Sequence, residues 1–495
     1  MVNIPKVSRE KSLARLGTMI PGEKESLFRI VGFTCNRAWI YCVIFNPLLI
    51  ASSGFTSIPL TVSLFCLAIT LVVMALAHNL TKRLLEKNGC LMGAGMSMAL
   101  GAFFWIMAST MQLDSVVLFV LCGILTGFGS SLMLMQWGRV FGAVPTATSH
   151  FESSLSYLSA ACVFLMCGFL PLPASVGAAI LLPLISVFIL AQLKRLAVSP
   201  RPNLENLSAI TQDSFFIKLL LGVLLIGTCA GVADEFYFIY NPVISPTDAT
   251  LQFFLAALLA PLLMLIIPVF SKRLDFGLTY RPTLVVMIFG VLMLPFFTGG
   301  TQMTGWIVLA GYHCFDLMTW ILLADLSYRF HISPILSFGL GRGVLYFSCG
   351  MGSCIGRLIR LYWGIGFESM ATSLAVTVIT LVLVLTYCLI FTEKDLSRYE
   401  SVAKDGRPGA VMQSCSHIAG LYGLSPREEA VMRLLVKGRS IARIQTELFI
   451  SKGTVNTHLR HIYQKLNIHT KQELLDLVEG DRLPVQAPEP DSHTE

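Results

Sequence analysis

The residues of this chain best placed to do chemistry are a histidine and an aspartate inside an apolar segment. His313 and Asp316 are three positions apart, so on a helix both side chains lie on one face. Ionisable groups are costly to bury in a segment of this composition, and they therefore point to functional sites. We expect this pair to contribute to a binding site.

No arrangement typical of an enzyme accompanies this pair. The sequence contains no nucleophile–base pair and no nucleotide-binding loop. Its 13 cysteines are scattered through apolar runs without CxxC pairs or a cysteine–histidine cluster. That distribution is typical of small apolar fillers rather than of metal ligands or disulfides. We therefore expect no enzymatic activity, no catalytic residues, no metal ion and no cofactor.

Membrane-spanning helices are the elements that must position these residues. Of the 495 residues, 55% are hydrophobic and only 13% are charged, whereas roughly a quarter of a soluble domain is charged. Twelve apolar windows approach the length of about 20 residues that a spanning helix needs. They cover 30–53, 58–78, 90–110, 115–137, 150–170, 174–193, 215–240, 250–270, 283–299, 302–325, 335–357 and 369–391.

The charges between these windows predict their orientation. The windows form two groups of six, separated by a polar stretch at 194–214. The segments that would share a side with both termini contain the cations Lys82, Arg83, Lys87, Arg139, Lys194, Arg195, Arg201, Lys272, Arg273, Arg281, Arg329 and Arg342. The opposite loops contain mainly acids, with Arg357 and Arg360 as cations. The positive-inside rule therefore predicts a multi-pass protein of the cytoplasmic (inner) membrane with both termini in the cytoplasm.

After residue 391 the composition changes to that of a soluble protein. A charged segment, which we expect to be helical, and a glycine- and proline-containing flexible linker cover 392–422, and a proline-rich acidic tail, which we expect to be disordered, covers 480–495. Between them, Ser425 and Thr470 each begin a capping box, and Ser440 and Ser451 are placed to cap two further helices. The sequence predicts four helices over 423–479, and the second and third are short and joined by a turn, as in a helix-turn-helix.

This C-terminal segment is strongly basic. From Arg427 to Lys471 it contains nine cations and three acids. A basic surface on a small helical domain is typical of binding to the phosphate backbone of DNA. The alternative is a helical bundle that binds another protein.

The segment LSPREEAVMRLLVKGRSIARIQTELFISKGTVNTHLRHIYQKLNIHTKQEL resembles the DNA-binding domain of the LuxR/FixJ/NarL regulators. The shared features are the LSPRE opening, the TVxxHL pattern of the third helix and the closing KLxIH. The resemblance implies promoter DNA as a partner, and it implies homodimerisation through the last helix. The DNA-binding residues that it implies are Lys452, Thr454, Asn456, Thr457, Arg460 and Lys465.

Two positions depart from that family. Asn456 occupies a position where the family usually has lysine, and Arg443-Ile444-Gln445 replaces Glu-Ile-Ala. Loss of the lysine should weaken non-specific attraction to phosphate or change the bases that are recognised. Arg443 could restore part of the positive charge.

The 6+6 arrangement of spans resembles the major facilitator fold. In that fold spans 1, 4, 7 and 10 line a central cavity, so the resemblance selects a tentative ligand-binding set of Asn36, Arg37, Tyr41, Tyr237, His313 and Asp316. Such aromatic and polar side chains suit a small, partly aromatic, polar ligand. Alternatively, Arg37, Gln136, Arg139 and Glu152 only form interhelical contacts that hold the bundle together. Arg357 and Arg360 could attract an anionic ligand or contact lipid phosphates.

The loops that gate transport in the major facilitator fold are degraded in this chain. The segment after span 2, 78–87, lacks the glycine and aspartate of the family motif, and the segment after span 8, 271–275, departs similarly. A known family fuses such a membrane domain to a LuxR-type output domain, which implies transcription controlled by a small molecule. The alternative is a transporter with an attached DNA-binding reporter domain.

The predicted fold is all-α, a bundle of about twelve transmembrane helices followed by a four-helix LuxR-type domain. The predicted domains are a cytoplasmic N-terminal segment at 1–29, a transmembrane sensor at 30–391, a charged helix and linker at 392–422, the helix-turn-helix at 423–479 and the tail at 480–495. Predicted partners are promoter DNA, a small-molecule ligand, the lipid bilayer and a second copy of the chain.

Overall fold

The computed structural model describes residues 24–44, 57–111, 113, 115–196, 214–240, 246–270, 276–293, 305–329, 332–363, 368–386, 415–416, 418–436, 439–448 and 450–479. Across these residues the chain is helical and contains no strand. It divides into two compact units, Met1–Tyr399 and Glu400–Glu495. The predicted N-terminal segment before Lys24, most of the central polar stretch, the charged exit segment, most of the linker and the tail lie outside the described residues.

The first unit is a bundle of long helices with one short helix near its start. These helices are α1 (Lys24–Ile44), α2 (Ser57–Leu76), α3 (His78–Glu86), α4 (Asn88–Thr110), α5 (Val116–Phe141), α6 (Thr146–Gly168), α7 (Leu172–Leu196), α8 (Ser214–Tyr240), α9 (Pro246–Phe270), α10 (Phe276–Met293), α11 (Gly305–Arg329), α12 (Pro334–Trp363) and α13 (Glu368–Leu385). Apart from α3, each overlaps one of the twelve predicted windows. By length and composition, seven helices in the described part could cross a membrane. The all-α membrane bundle is confirmed, and the exact number of twelve spans stays a prediction.

The segment after the second window differs from its prediction. The predicted arrangement has a loop at 78–87, but His78–Glu86 forms α3. A turn at Ala77 separates it from α2, and the Thr81 hydroxyl donates to the Met74 carbonyl oxygen at 2.8 Å across that turn. Thr81 and Leu85 are buried while the charged residues face outward, so the segment forms an amphipathic helix.

Helices α8 and α12 pack closely because glycines remove side chains from their contact. A Cβ atom at Gly231 would lie 2.2 Å from the Cys349 carbonyl oxygen, and one at Gly352 would lie 2.2 Å from the Thr228 carbonyl oxygen. Small residues allow membrane helices to approach each other in this way. This contact fixes α12, which carries Arg342, against α8.

An aromatic cluster joins the first six predicted spans to the last six. Phe33 of α1 stacks on Trp320 of α11 with 4.5 Å between ring centroids, and Phe338 of α12 lies 4.8 Å from Trp320 on another side. Trp137 and Phe141 of α5 pack around Phe33. Aromatic pairs at these distances add to the stability that burial provides. Trp320 follows Asp316 by four positions on α11.

The second unit contains α14 (Pro426–Val436), α15 (Ile441–Leu448), α16 (Lys452–Leu466) and α17 (Lys471–Glu479). Its core is formed by apolar residues of all four helices, among them Val431, Leu435, Ile444, Val455, Ile462, Leu466, Leu474 and Val478, and also by Cys415, Ile418 and Ala419. These last three residues belong to the segment predicted as a flexible linker, where 415–416 and 418–421 are helical instead. The predicted four-helix domain is thereby confirmed, with the short α15 followed directly by α16.

The predicted caps of these helices are present. At the start of α14, the Ser425 amide donates to Glu428 Oε2 at 2.7 Å and the Glu428 amide donates to Ser425 Oγ at 3.3 Å, which is a reciprocal capping box. Ser451 Oγ accepts from the Thr454 amide at 3.1 Å at the start of α16. Asn467, with φ of 50°, ends α16 in the left-handed conformation that asparagine tolerates better than most residues.

Candidate ligand site and nucleic-acid interface

Asp316 lies at the centre of a charged cluster in the membrane unit. Its carboxylate accepts from Arg37 of α1 and from Arg342 of α12, and the Tyr157 hydroxyl of α6 donates to it at 2.8 Å. Arg342 Nη2 also donates to the Asp316 carbonyl oxygen at 2.9 Å. The cluster therefore ties α1 and α6 of the first half to α11 and α12 of the second.

This cluster holds more positive than negative charge. Arginine stays protonated in proteins, so two guanidinium groups face one carboxylate. Arg342 is 0% exposed and Asp316 is 4% exposed, so water does not screen them. Aromatic faces stabilise part of the excess charge, because Arg37 lies 4.1 Å from the Tyr157 ring centroid and Arg342 lies 5.1 Å from that of Trp320.

A cavity of about 100 Å³ adjoins the cluster. Its lining includes the charged residues Arg37 and Asp316 and the aromatic side chains of Tyr41, Tyr312, His313 and Tyr346. Apolar residues complete the lining, among them Ile40, Leu60, Leu64, Met287, Val291 and Leu309. The lining comes from both halves of the bundle.

The structure brings together four of the six residues of the predicted ligand set. Arg37, Tyr41, His313 and Asp316 line the cavity. Asn36 is buried on α1 but does not belong to the lining. Tyr237 lies on α8, and its side chain is outside the described residues. The ligand-binding role of the whole set stays a prediction.

Two members of the cluster were missed in the sequence. Arg342 is a loop cation in the predicted arrangement, but it lies within α12 and is buried. Tyr157 is absent from the predicted ligand set, and it is buried too. The signal for Arg342 is a lone charge inside a long apolar run, which is the same signal that selected Asp316. Arg37 lies in the second half of α1, which begins at Lys24.

Two residues of the alternative interhelical set, Glu152 and Gln136, make interhelical contacts. Glu152 of α6 accepts from Arg29 Nε at 2.7 Å and from the Ser26 hydroxyl at 2.5 Å. Gln136 Nε2 donates to the Leu85 carbonyl oxygen at 2.8 Å. Arg357 pairs with Glu235 at 2.8 Å, so this cation already has an anionic partner, while the side chain of Arg360 is outside the described residues.

A further set of contacts joins the two halves where α5 meets α6. Thr146 of α6 donates to Asp325 of α11, and Arg329 Nε lies 2.6 Å from the same carboxylate. His78 of α3 and Ser333, just before α12, share a hydrogen bond of 2.7 Å. This end of the bundle is tied across the halves by polar contacts that are distinct from the Asp316 cluster.

In the second unit, the predicted DNA-binding residues are exposed on α16. The side chains of Lys452, Thr454, Asn456, Thr457 and Arg460 on α16 are exposed, while Val455, Ile462 and Leu466 of the same helix are buried. The Thr457 hydroxyl donates to the Gly453 carbonyl oxygen at 3.0 Å, which leaves its lone pairs free to accept. The helix thus presents a polar, partly basic face to solvent.

Lys465 differs from the other predicted DNA-binding residues. Its Nζ donates to the Gly423 carbonyl oxygen at 2.9 Å and to Glu428 Oε2 at 2.8 Å. Burial raises the pKa of Glu428, but hydrogen bonds from Lys465 and Ser425 outweigh it and hold the pKa at about 2. The amine of Lys465 therefore connects α16 to the start of α14, and its role at DNA stays a prediction.

Comparison with known proteins identifies this C-terminal unit. Residues 423–478 match the family described as bacterial regulatory proteins, luxR family. The nitrate/nitrite response regulator protein homolog of Haemophilus influenzae is 31% identical over 78 residues, which are 16% of this chain and 38% of that protein. The oxygen regulatory protein NreC of Staphylococcus carnosus is 43% identical over 53 residues, 11% of this chain and 24% of that protein. Mycobacterial relatives, 42% identical over 57 residues, are covered over 6% of their length.

Solved structures match the remainder of the chain in fold. A bacterial homologue of the iron transporter ferroportin gives a TM-score of 0.51 at 15% identity over 74% of this chain and 100% of that chain. The human organic anion transporter MFSD10 gives a TM-score of 0.51 at 13% identity over 75% of this chain and 100% of that chain. The major facilitator superfamily proton:xylose symporter XylE gives a TM-score of 0.50 at 12% identity over 76% of this chain and 98% of that chain. At these identities the likeness establishes the fold alone. The chain therefore joins a multi-pass membrane domain of the major facilitator fold to a C-terminal helix-turn-helix domain of the LuxR regulator family.

Proposed function

We propose that this protein is a membrane-bound one-component transcriptional regulator. A small molecule binds in the membrane domain, and its binding controls how the C-terminal domain engages promoter DNA. The observation that carries the proposal is the presence, in one chain, of a LuxR-family domain and a bundle with a charged cluster beside a cavity.

The exposed face of α16 supports DNA binding. The second helix of a helix-turn-helix enters the major groove, with side chains near its N-terminus at the base edges. Asn456, Thr457 and Arg460 occupy that part of the surface, and Lys452 and Thr454 lie beside them for phosphate. Lys465 would contribute only if it left Glu428.

The cytoplasm is the compartment in which such a domain could reach DNA. The cations between the predicted windows favour both termini on the cytoplasmic side of the inner membrane. A homodimer formed through α17 is the mode of operator binding that the LuxR resemblance suggests, and ligand control of that dimer is one way for the membrane domain to act.

The transporter alternative is not favoured. The segments 78–87 and 271–275 lack the gating motif of transporters with this fold, and the chain ends in a regulator domain. Uptake of a labelled inducer by reconstituted protein would be expected of a transporter and not of a receptor.

The test is promoter occupancy in cells that contain the full-length protein in their membranes. Chromatin immunoprecipitation with and without a small molecule that induces neighbouring genes should show ligand-dependent occupancy, and Arg460→Ala should abolish it. Arg433→Ala is the matched control, since that arginine pairs with Glu429 on α14 and is not in the predicted DNA-binding set. Ligand-independent occupancy, or crosslinking that gives one oligomeric state in all conditions, would contradict control of dimerisation by ligand.

A further inference from the structure

The cavity beside Asp316 has a charge that limits what can bind in it. Arg37 and Arg342 bring two positive charges and Asp316 brings one negative charge, all buried. The desolvation cost of a buried charge is large unless an opposite charge compensates it. A single negative charge in the cavity would balance the cluster.

Two buried polar groups of the lining have no hydrogen-bond partner among the described residues. Tyr41 is 2% exposed and its hydroxyl is unpaired, and Arg37, although it holds Asp316 through Nη2, leaves its Nε–H unpaired. Buried donors without acceptors cost free energy, so each calls for an explanation, and a ligand that supplies the acceptor is one. Both donors belong to residues that line the cavity.

Most of the remaining lining is aromatic and aliphatic, apart from Cys349 and Ser353. Tyr41 and His313 are in edge contact with 5.5 Å between ring centroids, and Leu60, Leu64 and Met287 contribute apolar surface. A ligand that fits must therefore combine one anionic group with an apolar body. A carboxylate accepts hydrogen bonds from a guanidinium in good geometry.

We propose that the ligand of this site is a small organic monocarboxylate with an apolar body, whose carboxylate accepts hydrogen bonds from Arg37 and Tyr41. This inference rests on the proposed function and names the class of its inducer. It also assigns a way to transmit binding. Arg37 is the residue that ties α1 to Asp316 on α11, so a second anion at Arg37 weakens that tie and changes the contact between the two halves.

The experiment compares acids with their neutral amides. The full-length protein is purified in detergent, and its thermal unfolding is followed with 3-phenylpropanoate, hexanoate and benzoate, each paired with its primary amide. We expect at least one carboxylate to raise the melting temperature with a saturable dependence on concentration, and its amide to leave it unchanged.

Variants test which residues carry the effect. Tyr41→Phe removes a hydroxyl that has no partner, so it should melt like the wild type but bind the carboxylate about tenfold more weakly. Arg37→Gln should abolish the shift. Ser109→Ala is the matched control, because it also removes a buried, unpaired hydroxyl but outside the cavity lining, and it should bind like the wild type.

The outcomes separate this inference from the function on which it rests. Equal shifts by amides and carboxylates, no shift by any carboxylate, or full binding by Tyr41→Phe would overturn the carboxylate site. If a neutral or cationic inducer still changed promoter occupancy, the regulator function would stand without it. Carboxylate binding that leaves promoter occupancy unchanged would instead contradict the proposed function and support the carboxylate site.

Discussion

Each unit of this protein has a buried carboxylate that is held by basic side chains, but the two arrangements differ in charge balance. Asp316 in the membrane unit and Glu428 in the C-terminal unit are both 4% exposed. Glu428 faces Lys465 and His461, whose side chains are 39% and 44% exposed, so solvent screens the surrounding charge. Asp316 faces two arginines that solvent does not reach.

The difference separates a structural contact from a candidate site. At Glu428 the hydrogen bonds of Ser425 and Lys465 satisfy the carboxylate, and they fix the start of α14 against α16. At Asp316 the contacts leave excess positive charge and unpaired donors next to a cavity. A buried charge that its own neighbours do not balance is therefore the stronger indication of a ligand.

Removing the membrane carboxylate should give the largest effect. Asp316→Asn leaves two buried arginines without an anion, and we expect a loss of about 3–5 kcal/mol from the free energy of unfolding of the membrane unit. Thermal unfolding of the full-length protein in detergent measures it. Glu235→Gln, which breaks the partly exposed pair with Arg357, is the control and should cost far less. Equal melting temperatures for the two variants would show that the buried Asp316 cluster is no costlier to break than the partly exposed Glu235–Arg357 pair.

The equivalent change in the C-terminal unit should be smaller. Glu428→Gln removes the anion that accepts from Lys465, and we expect a loss of about 2 kcal/mol because hydrogen bonds to charged groups are worth roughly that much. Hydrogen exchange of residues 423–479 in the full-length chain reports the local free energy of opening. Glu429→Gln is the adjacent control, since its pair with Arg433 is partly exposed, and it should change protection little.

The same carboxylate should make the stability of the C-terminal unit depend on pH. The folded-state pKa of Glu428 is about 2, below its ordinary value of 4.5. The stabilisation is therefore present in full above about pH 4.5, and it is lost as the pH falls toward 2. Hydrogen-exchange protection of α14 and α16 should decline across that window, and Glu428→Gln should flatten the decline. An unchanged slope in the variant would assign the acid sensitivity to another group.

The contrast between these units also shows what can be predicted from sequence. The helices of the bundle follow from apolar windows of spanning length, and the caps at Ser425 and Ser451 follow from residues within one turn of each other. These signals are local. Asp316 was recognisable alone, because a carboxylate in an apolar run is costly wherever its partner lies.

The partners of Asp316 were not recognisable in the same way. Arg37 is separated from it by 279 positions and Tyr157 by 159, and such pairings depend on how the helices pack rather than on spacing. Arg342 was assigned to a loop because the charge count that predicts orientation includes every arginine near the end of a window. The cavity lining was predicted only through the resemblance of the fold, and Asn36 fell outside it.

The smallest effect should come from removing one of the two arginines. Arg342→Met replaces a buried cation with an apolar side chain of similar length, and it leaves Arg37 and Asp316 as a balanced pair. Removing Arg342 removes the desolvation cost of its buried charge, and Arg37 still compensates Asp316. We therefore expect a change of less than about 1 kcal/mol in the free energy of unfolding, measured as for Asp316→Asn. The variant should also lose carboxylate binding, since the excess charge is gone. If it destabilised the membrane unit as much as Asp316→Asn does, both arginines would be needed to hold the aspartate, and the cluster would be a structural tie like that of Glu428.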